Sequence, residues 1–289
     1  MTSTPQFPWA NTDNLDDAEF VIIGVPDEGG SHAHRSGAWQ APDTIRRVAH
    51  EREVFERAGI RSISLPGKNA AQRRIFDYGN VAKADIRHLV EDLVRRGKIP
   101  VTMGGDHSIT AEILKGIDAV RPVNIVYFDA HPDFVCSSRE YYGSVVCDIS
   151  EYKNVRFSSS AEIGIRAPEP EELENLLRKN LLVIRPLELE EKGAAQIFRE
   201  LKERVKGDLY ISFDMDAVDP AFAPGVAVPV PGGISSSKAL YLVEELAGLG
   251  LIGMDVMEVC PPCDLQDMTS HLASRLMMAA ICGAVNPSP

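Results

Sequence analysis

Cysteine, tryptophan and positive charge are all scarce in this chain. Five cysteines in 289 residues (Cys136, Cys147, Cys260, Cys263 and Cys282) form an odd, sparse set. That argues against a disulfide framework and for a reducing, cytoplasmic setting. Lys and Arg number 30 against 42 Asp and Glu, a formal charge of −12, so a nucleic-acid partner, which wants a basic face, is not expected. No apolar run approaches the ~18 residues of a membrane span, and the opening residues MTSTPQFPWANTDNLDD lack both the basic start and the apolar stretch of a secretory signal. No membrane partner is expected either. With 44% hydrophobic and 25% charged residues, wholesale disorder is excluded.

What is present is alternation. Short, nearly continuous apolar runs read as strands buried on both faces: Phe20–Val25, Ile99–Met103, Val123–Phe128, Glu162–Ile165, Leu181–Ile184, Leu209–Phe213 and Leu251–Val256. Helical patterns lie between them, over Pro42–Arg57, Ala84–Arg96, Glu169–Lys179, Ala194–Val205, Ser237–Ala247 and Thr269–Ile281. Strand–helix alternation implies right-handed crossovers and a three-layer α/β/α sandwich around a central, mostly parallel sheet. No repeat, low-complexity segment or linker divides the chain, so residues 1–289 are expected to form one domain, with 1–18 an irregular arm.

In such sheets ligands bind beyond the carboxyl ends of the strands. Ile99–Met103 runs into Gly104-Gly105-Asp106-His107-Ser108, and Val123–Phe128 into Asp129-Ala130-His131-Pro132-Asp133. Leu209–Phe213 runs into Asp214-Met215-Asp216-Ala217-Val218-Asp219-Pro220, and Leu251–Val256 into Met257-Glu258-Val259-Cys260-Pro261-Pro262. Period-two spacing in an extended segment would put Asp129, His131 and Asp133 on one side, and Asp214 with Asp216. With His107, that gives four carboxylates and two imidazoles able to meet at one point. So much negative charge in a dry site calls for balancing cations. Oxygen-rich ligation without thiolate suits two Mn²⁺ ions better than a structural zinc. A single such Asp would as readily cap a helix; six residues on three strand ends are harder to explain that way.

These segments resemble the three signatures of the ureohydrolases, the family of arginase and agmatinase, and they occur in the family's order. Gly30–Arg46 is similar to the family's N-terminal loop and helix, and Asp255–Asp264 to its late strand end. The resemblance implies His107 and Asp133 on one Mn²⁺ site, His131 and Asp216 on the other, and Asp129 and Asp214 bridging, with Ni²⁺ or Co²⁺ as possible substitutes. It also implies catalytic roles for Asp133, holding the metal-bridging hydroxide, and for Glu258, binding the substrate guanidinium. The implied reaction is hydroxide attack on a guanidino carbon, yielding urea and an amine. Homo-oligomers, trimers or hexamers, are the family habit, and a hetero-oligomer with an active partner is a further possibility.

The pattern is broken in one loop. Family members carry a proton-shuttling His about a dozen residues after the second motif, where this chain reads Ser137-Ser138-Arg139-Glu140-Tyr141-Tyr142-Gly143-Ser144-Val145-Val146-Cys147, with Val145 at the expected place and no His between His131 and His271. His32, His34, His271, Tyr141 or Tyr142 could donate the proton instead, the substrate could need no such acid, or the chain could be a weakly active or non-catalytic subunit. The arginase grip on the α-amino group is reduced to Glu169 in Gly164-Ile165-Arg166-Ala167-Pro168-Glu169-Pro170, while Glu-Val-Cys-Pro-Pro-Cys-Asp is nearer the agmatinase form. A small guanidino compound like agmatine therefore ranks first as substrate, ahead of other ω-guanidino acids, small guanidines, arginine and formimidoylglutamate. Histone-deacetylase-like enzymes share the architecture, but their tandem His pair is missing here. Cys260-Pro261-Pro262-Cys263 reads as an ordinary extended loop rather than a redox or zinc motif, and Gly29-Gly30 and Gly104-Gly105 as tight turns. Arg46, Arg47, Arg52 and Arg57 read as a solvated helix face or an oligomer contact.

Overall fold

The computed structural model describes residues 6–53, 56–57, 60–61 and 72–285. Eight strands form one all-parallel sheet: β1 (Phe20–Gly24), β2 (Ile75–Asn80), β3 (Ile99–Met103), β4 (Asn124–Phe128), β5 (Ala161–Ile163), β6 (Leu182–Ile184), β7 (Leu209–Asp214) and β8 (Leu251–Met257), in the spatial order β2-β1-β3-β8-β7-β4-β5-β6. The seven expected strands are all present with ends shifted by a residue or two. The eighth, β2, escapes the pattern search because it is an edge strand buried at Ile75 but only partly along the rest.

Side chains alternate between the two faces as the pleat requires. Phe20, Ile22, Val126, Phe128, Leu209, Ile211 and Phe213 face one core, shared with α1 (Ala41–Glu53), α7 (Ala194–Arg204), α8 (Ser236–Ala247) and α9 (Met268–Gly283). Val21, Ile23, Ile125, Tyr127 and Tyr210 face the other, packed on α2 (Lys83–Arg95), α3 (Ile109–Asp118), α4 (Val145–Ile149) and α5 (Pro170–Lys179). A short α6 (Pro186–Lys192) follows β6. α3, α4 and α6 were not expected. Their patterns are short, and α3 opens inside a motif whose polar residues mask its periodicity. Among the described residues no helix is long and apolar enough to cross a membrane.

Two local expectations need correction. Arg46 is not solvated: its guanidinium is fully buried and makes two hydrogen bonds to Asp77, Nε–Oδ2 at 2.9 Å and Nη2–Oδ1 at 2.8 Å, and one to Asn80 at 2.7 Å. The edge strand β2 supplies these partners, and they are 31 and 34 residues away in sequence, where helical spacing cannot show them. Arg47 pairs with Asp267 at 3.0 Å, and the side chains of Arg52 and Arg57 lie outside the described residues. The second correction concerns cysteine: Cys136 and Cys147 form a disulfide. The chain between them doubles back, with Val135 donating to Gly143 O (3.1 Å) and Val146 to Asp133 O (2.9 Å), which brings the two cysteines together. The cysteine count therefore no longer supports a reducing compartment. The other pair, Cys260 and Cys263, stays as two thiols 3.3 Å apart in a 3-10 turn at Pro261–Cys263, not in an extended loop.

Candidate metal centre

The sheet register explains where the chemistry begins. Met103, Val256, Phe213, Phe128 and Ile163 lie in one row across five neighbouring strands. The residues one step beyond that row are Gly104, Met257, Asp214, Asp129 and Gly164, so Asp214 and Asp129 leave adjacent strands side by side. The cluster is not held together by period-two extension, however. Asp214 ends β7 and its carboxylate accepts the Asp216 N–H at 2.7 Å across a 3-10 turn. Asp129 likewise accepts the His131 N–H at 2.6 Å. Asp133 sits at φ 49° and Glu258 at φ 63°, left-handed conformations that cost a non-glycine residue energy and are typical of functional sites. Turns, not strands, aim these side chains.

Two groups of possible ligand atoms, each within 4.8 Å of one another, result: His107, Asp129 and Asp133, and Asp129, His131 and Asp216. Asp129 belongs to both. His107 Nδ1 lies 3.1 Å from Asp129 Oδ2, 3.1 Å from Asp214 Oδ2 and 3.4 Å from Asp133 Oδ2. His131 Nδ1 lies 3.0 Å from Asp216 Oδ2 and 3.4 Å from Asp129 Oδ1. All but His131 are buried. Glu258 reaches the same place, its Oε1 accepting the His107 backbone N–H at 2.9 Å.

A cation fits this arrangement. Asp129 Oδ2 is buried without a well-formed hydrogen bond, an acceptor left facing the cluster. Burial first, then the charges of the neighbouring carboxylates, pushes Asp133, Asp214 and Asp216 up from the ordinary carboxylate range. Burial pulls the His131 imidazole down, but Asp129 and Asp216 outweigh it and hold it at about 12. Electrically the cluster wants positive charge, and a divalent ion supplies it while displacing protons.

Three residues that sequence reading passed over hold the candidate ligands in place. His107 Nε2 is 2.9 Å from Ser212 Oγ, which donates to Asp255 Oδ1 at 2.8 Å. Asp255 also accepts from Thr110 and Tyr210. With Ser212 donating to Asp255, Nε2–H donates to Ser212, and Nδ1 is the ring nitrogen turned towards the cluster. Tyr127 stacks on the His107 ring (centroids 4.6 Å apart, 3° between planes) and donates to Asp133 Oδ2 at 2.6 Å. The available signal was Tyr127 two residues before Asp129, a lone hydroxyl in an apolar strand. Ser212→Ala is expected to weaken metal binding about 10–100-fold, measured by competition with a chelating indicator; unchanged affinity would show that the relay does not orient His107.

The remaining expected residues lie elsewhere. Val145 is fully buried in α4 within the core; Tyr141 and Tyr142 are the loop residues whose phenols lie in the field of the cluster. Glu169 is exposed and caps α5, accepting its third backbone N–H in a box with Glu172. His34 is exposed, and His271 sits in the first turn of α9; neither is among the groups that converge on the cluster.

The family model described as "Arginase family" matches residues 18–283. The chain belongs to the arginase family. A guanidinopropionase of Pseudomonas aeruginosa is 31% identical over 278 residues, covering 90% of this chain and 85% of the relative, and an agmatinase of Neisseria meningitidis is 32% identical over 282 residues with the same coverage. Among solved structures, the agmatine ureohydrolase of Thermoplasma volcanium superposes with a TM-score of 0.83 at 28% identity (98% and 95% covered), and the proclavaminate amidino hydrolase of Streptomyces clavuligerus with 0.84 at 27% (97% and 98%). As an arginase-family ureohydrolase the chain thus places its acid- and imidazole-rich cluster on the family's fold.

Proposed function

We propose that this ureohydrolase cleaves the guanidino C–N bond of an agmatine-like substrate, adding water to release urea and an amine, with two Mn²⁺ ions held by His107, Asp129, His131, Asp133, Asp214 and Asp216. The observation that carries the reading is Asp129 shared by two three-residue ligand groups, with a Glu258 oxygen fixed on the His107 backbone beside them. Two divalent ions there would supply Lewis acidity and bring the ionisation of a water close to neutral pH. Glu258 is the partner for the planar guanidinium, whose N–H groups match carboxylate oxygens. Asp133, steadied by the Tyr127 hydroxyl, orients the attacking water and takes its proton. Attack makes the guanidino carbon tetrahedral, and its collapse expels the amine, which takes up a proton. A homo-oligomer is the proposed assembly.

The guanidinopropionase relative favours a second reading, a guanidino acid as substrate. Urea release by Mn²⁺-loaded protein, measured with agmatine, arginine, guanidinobutyrate, guanidinopropionate and guanidine, decides between them. One substrate should dominate, and Asp133→Asn should lower its kcat by about 10²–10⁴, the usual worth of a positioned acid–base group. No urea from any compound, with two metals bound, would overturn the proposal.

A further inference from the structure

Two thiols stand just beyond the carboxyl end of β8, and no step of the proposed hydrolysis uses them. Cys260 is fully buried and Cys263 half-buried. Their sulfurs lie 3.3 Å apart, and the Cys260 sulfur is also 3.5 Å from Ser36 O. The Cys263 N–H donates to Cys260 O at 2.9 Å, closing a single 3-10 turn. Such a turn keeps its end Cα atoms within about 7 Å, inside the span that a disulfide bridges. The sulfurs have only to close from 3.3 Å to about 2 Å.

The far side of this turn is braced. Asp264, the next residue, accepts the N–H groups of Thr269 and Ser270, each at 3.0 Å, and so fixes the turn to α9. Pro262 packs on Gly37 of the N-terminal loop, where a Cβ would fall 2.5 Å from the proline Cγ. The near side runs back through Cys260, whose N–H donates to Gly225 O at 2.7 Å, to Glu258. Glu258 donates its own N–H to Gly105 O and accepts the His107 N–H on Oε1, both at 2.9 Å. Its left-handed φ of 63° is a conformation that lasts only while its surroundings impose it. Closure of the two sulfurs therefore pulls on the strained arm that carries Glu258 rather than on α9.

We propose that Cys260 and Cys263 are a redox modification site: a small disulfide oxidises them to an intramolecular disulfide, which displaces Glu258 and switches the enzyme off. The switching rests on the reading that Glu258 holds the guanidinium. Cys263, the more exposed thiol, loses its proton and attacks one sulfur of the small disulfide, forming a mixed disulfide and expelling a first small thiolate. Cys260 then loses its proton and attacks Cys263 Sγ, forming the internal bond and expelling the second. The two protons end on the two leaving thiols, and the two electrons given up by the protein reduce the small disulfide. Burial and then the Cys263 thiol push the Cys260 thiol up to about 12, so it is inert to outside reagents. Its closeness to Cys263 offsets the small thiolate fraction in the second step.

The test starts from Mn²⁺-loaded wild type and Cys263→Ser, with the pair mapped as thiols in the wild type, and treats both with glutathione disulfide. Three quantities are read: the mass of the peptide spanning 255–264, hydrogen exchange at the Glu258 amide, and kcat/KM for the guanidino compound turned over fastest. The wild-type peptide should lose two hydrogens and retain no glutathione. Exchange at Glu258 should quicken at least about tenfold as its bond to Gly105 opens. kcat/KM should fall at least about tenfold, since an ångström of misplacement can cost about 10²-fold. Cys263→Ser should keep its rate in the oxidant, which assigns the loss to this pair and not to Cys136–Cys147 or Cys282. A wild-type peptide that keeps its hydrogens, or a bridged peptide with exchange and kcat/KM unchanged, overturns the proposal and leaves the ureohydrolase reading intact. No urea from any guanidino compound counts against that reading instead. The site is then judged by mass and exchange: faster exchange at Glu258 in the bridged wild type alone supports it, and equal exchange refutes it.

Discussion

Asp129→Asn should leave the protein folded and bring its metal content from two ions per chain to one or fewer, with urea release falling at least about 10³-fold. The magnitude follows from the several kcal/mol of charge stabilisation that a metal supplies, at about 1.4 kcal/mol per tenfold in rate. Asp129 is the position to change because it alone belongs to both three-residue ligand groups. Its Oδ1 also accepts the His131 N–H, a bond the amide oxygen of Asn can still accept, so the turn after β4 survives the change. Elemental analysis after dialysis, beside a urea assay, reads both quantities. Two ions retained with full activity would remove Asp129 from the bridging role.

Arg46→Ala is expected to destabilise the fold by about 3–5 kcal/mol, because it strands a buried carboxylate rather than removing a surface pair. The Arg46 side chain is fully buried and that of Asp77 is 2% exposed. Burial pushes the Asp77 carboxyl up, but the Arg46 hydrogen bonds and charge, with the N–H groups of Phe7 and Gly79, outweigh it and hold the group below its ordinary 3.8. A carboxyl lowered in the folded state contributes stability that is complete above its unfolded value and is lost as pH falls through the folded one. The wild type should therefore lose this share of stability only below about pH 4. The variant should be weak at neutral pH and gain relative to the wild type in acid, where Asp77 takes up a proton. Urea denaturation at pH 7 and pH 4 measures both. Equal losses at the two values would mean that Arg46 acts by packing alone.

The sheet and the metal-ligand candidates were legible in the sequence because both leave local signatures. Fully buried strands are short apolar runs, and polar residues crowded at their ends stand out against them. What was not legible depends on partners distant in sequence. Arg46 looked like a surface residue because helix periodicity carries no information about Asp77 on β2. Ser212 and Asp255 looked like ordinary members of apolar strands, yet adjacent strands bring them into register and make them the support of His107. The Cys136–Cys147 bridge needs a loop that folds back, which spacing does not encode. Asp133 and Glu258 were identified by type, but their left-handed backbone, the feature that aims them, belongs to the folded turn.

The strand order also bears on how the chain is made. β8, the last strand in sequence, lies between β3 and β7, in the interior of the sheet. Until residues 251–257 have left the ribosome, β1–β3 and β4–β7 can form only as two separate slabs, each with a raw edge where β8 belongs. Unpaired edges of this kind are templates for association with other chains. Glu258 arrives with that same strand, so the nascent chain gains the carboxylate proposed to bind the guanidinium and closes its sheet in a single late event. Synthesis halted near residue 250 should yield insoluble fragments, and a short peptide carrying β8 should be able to rescue them.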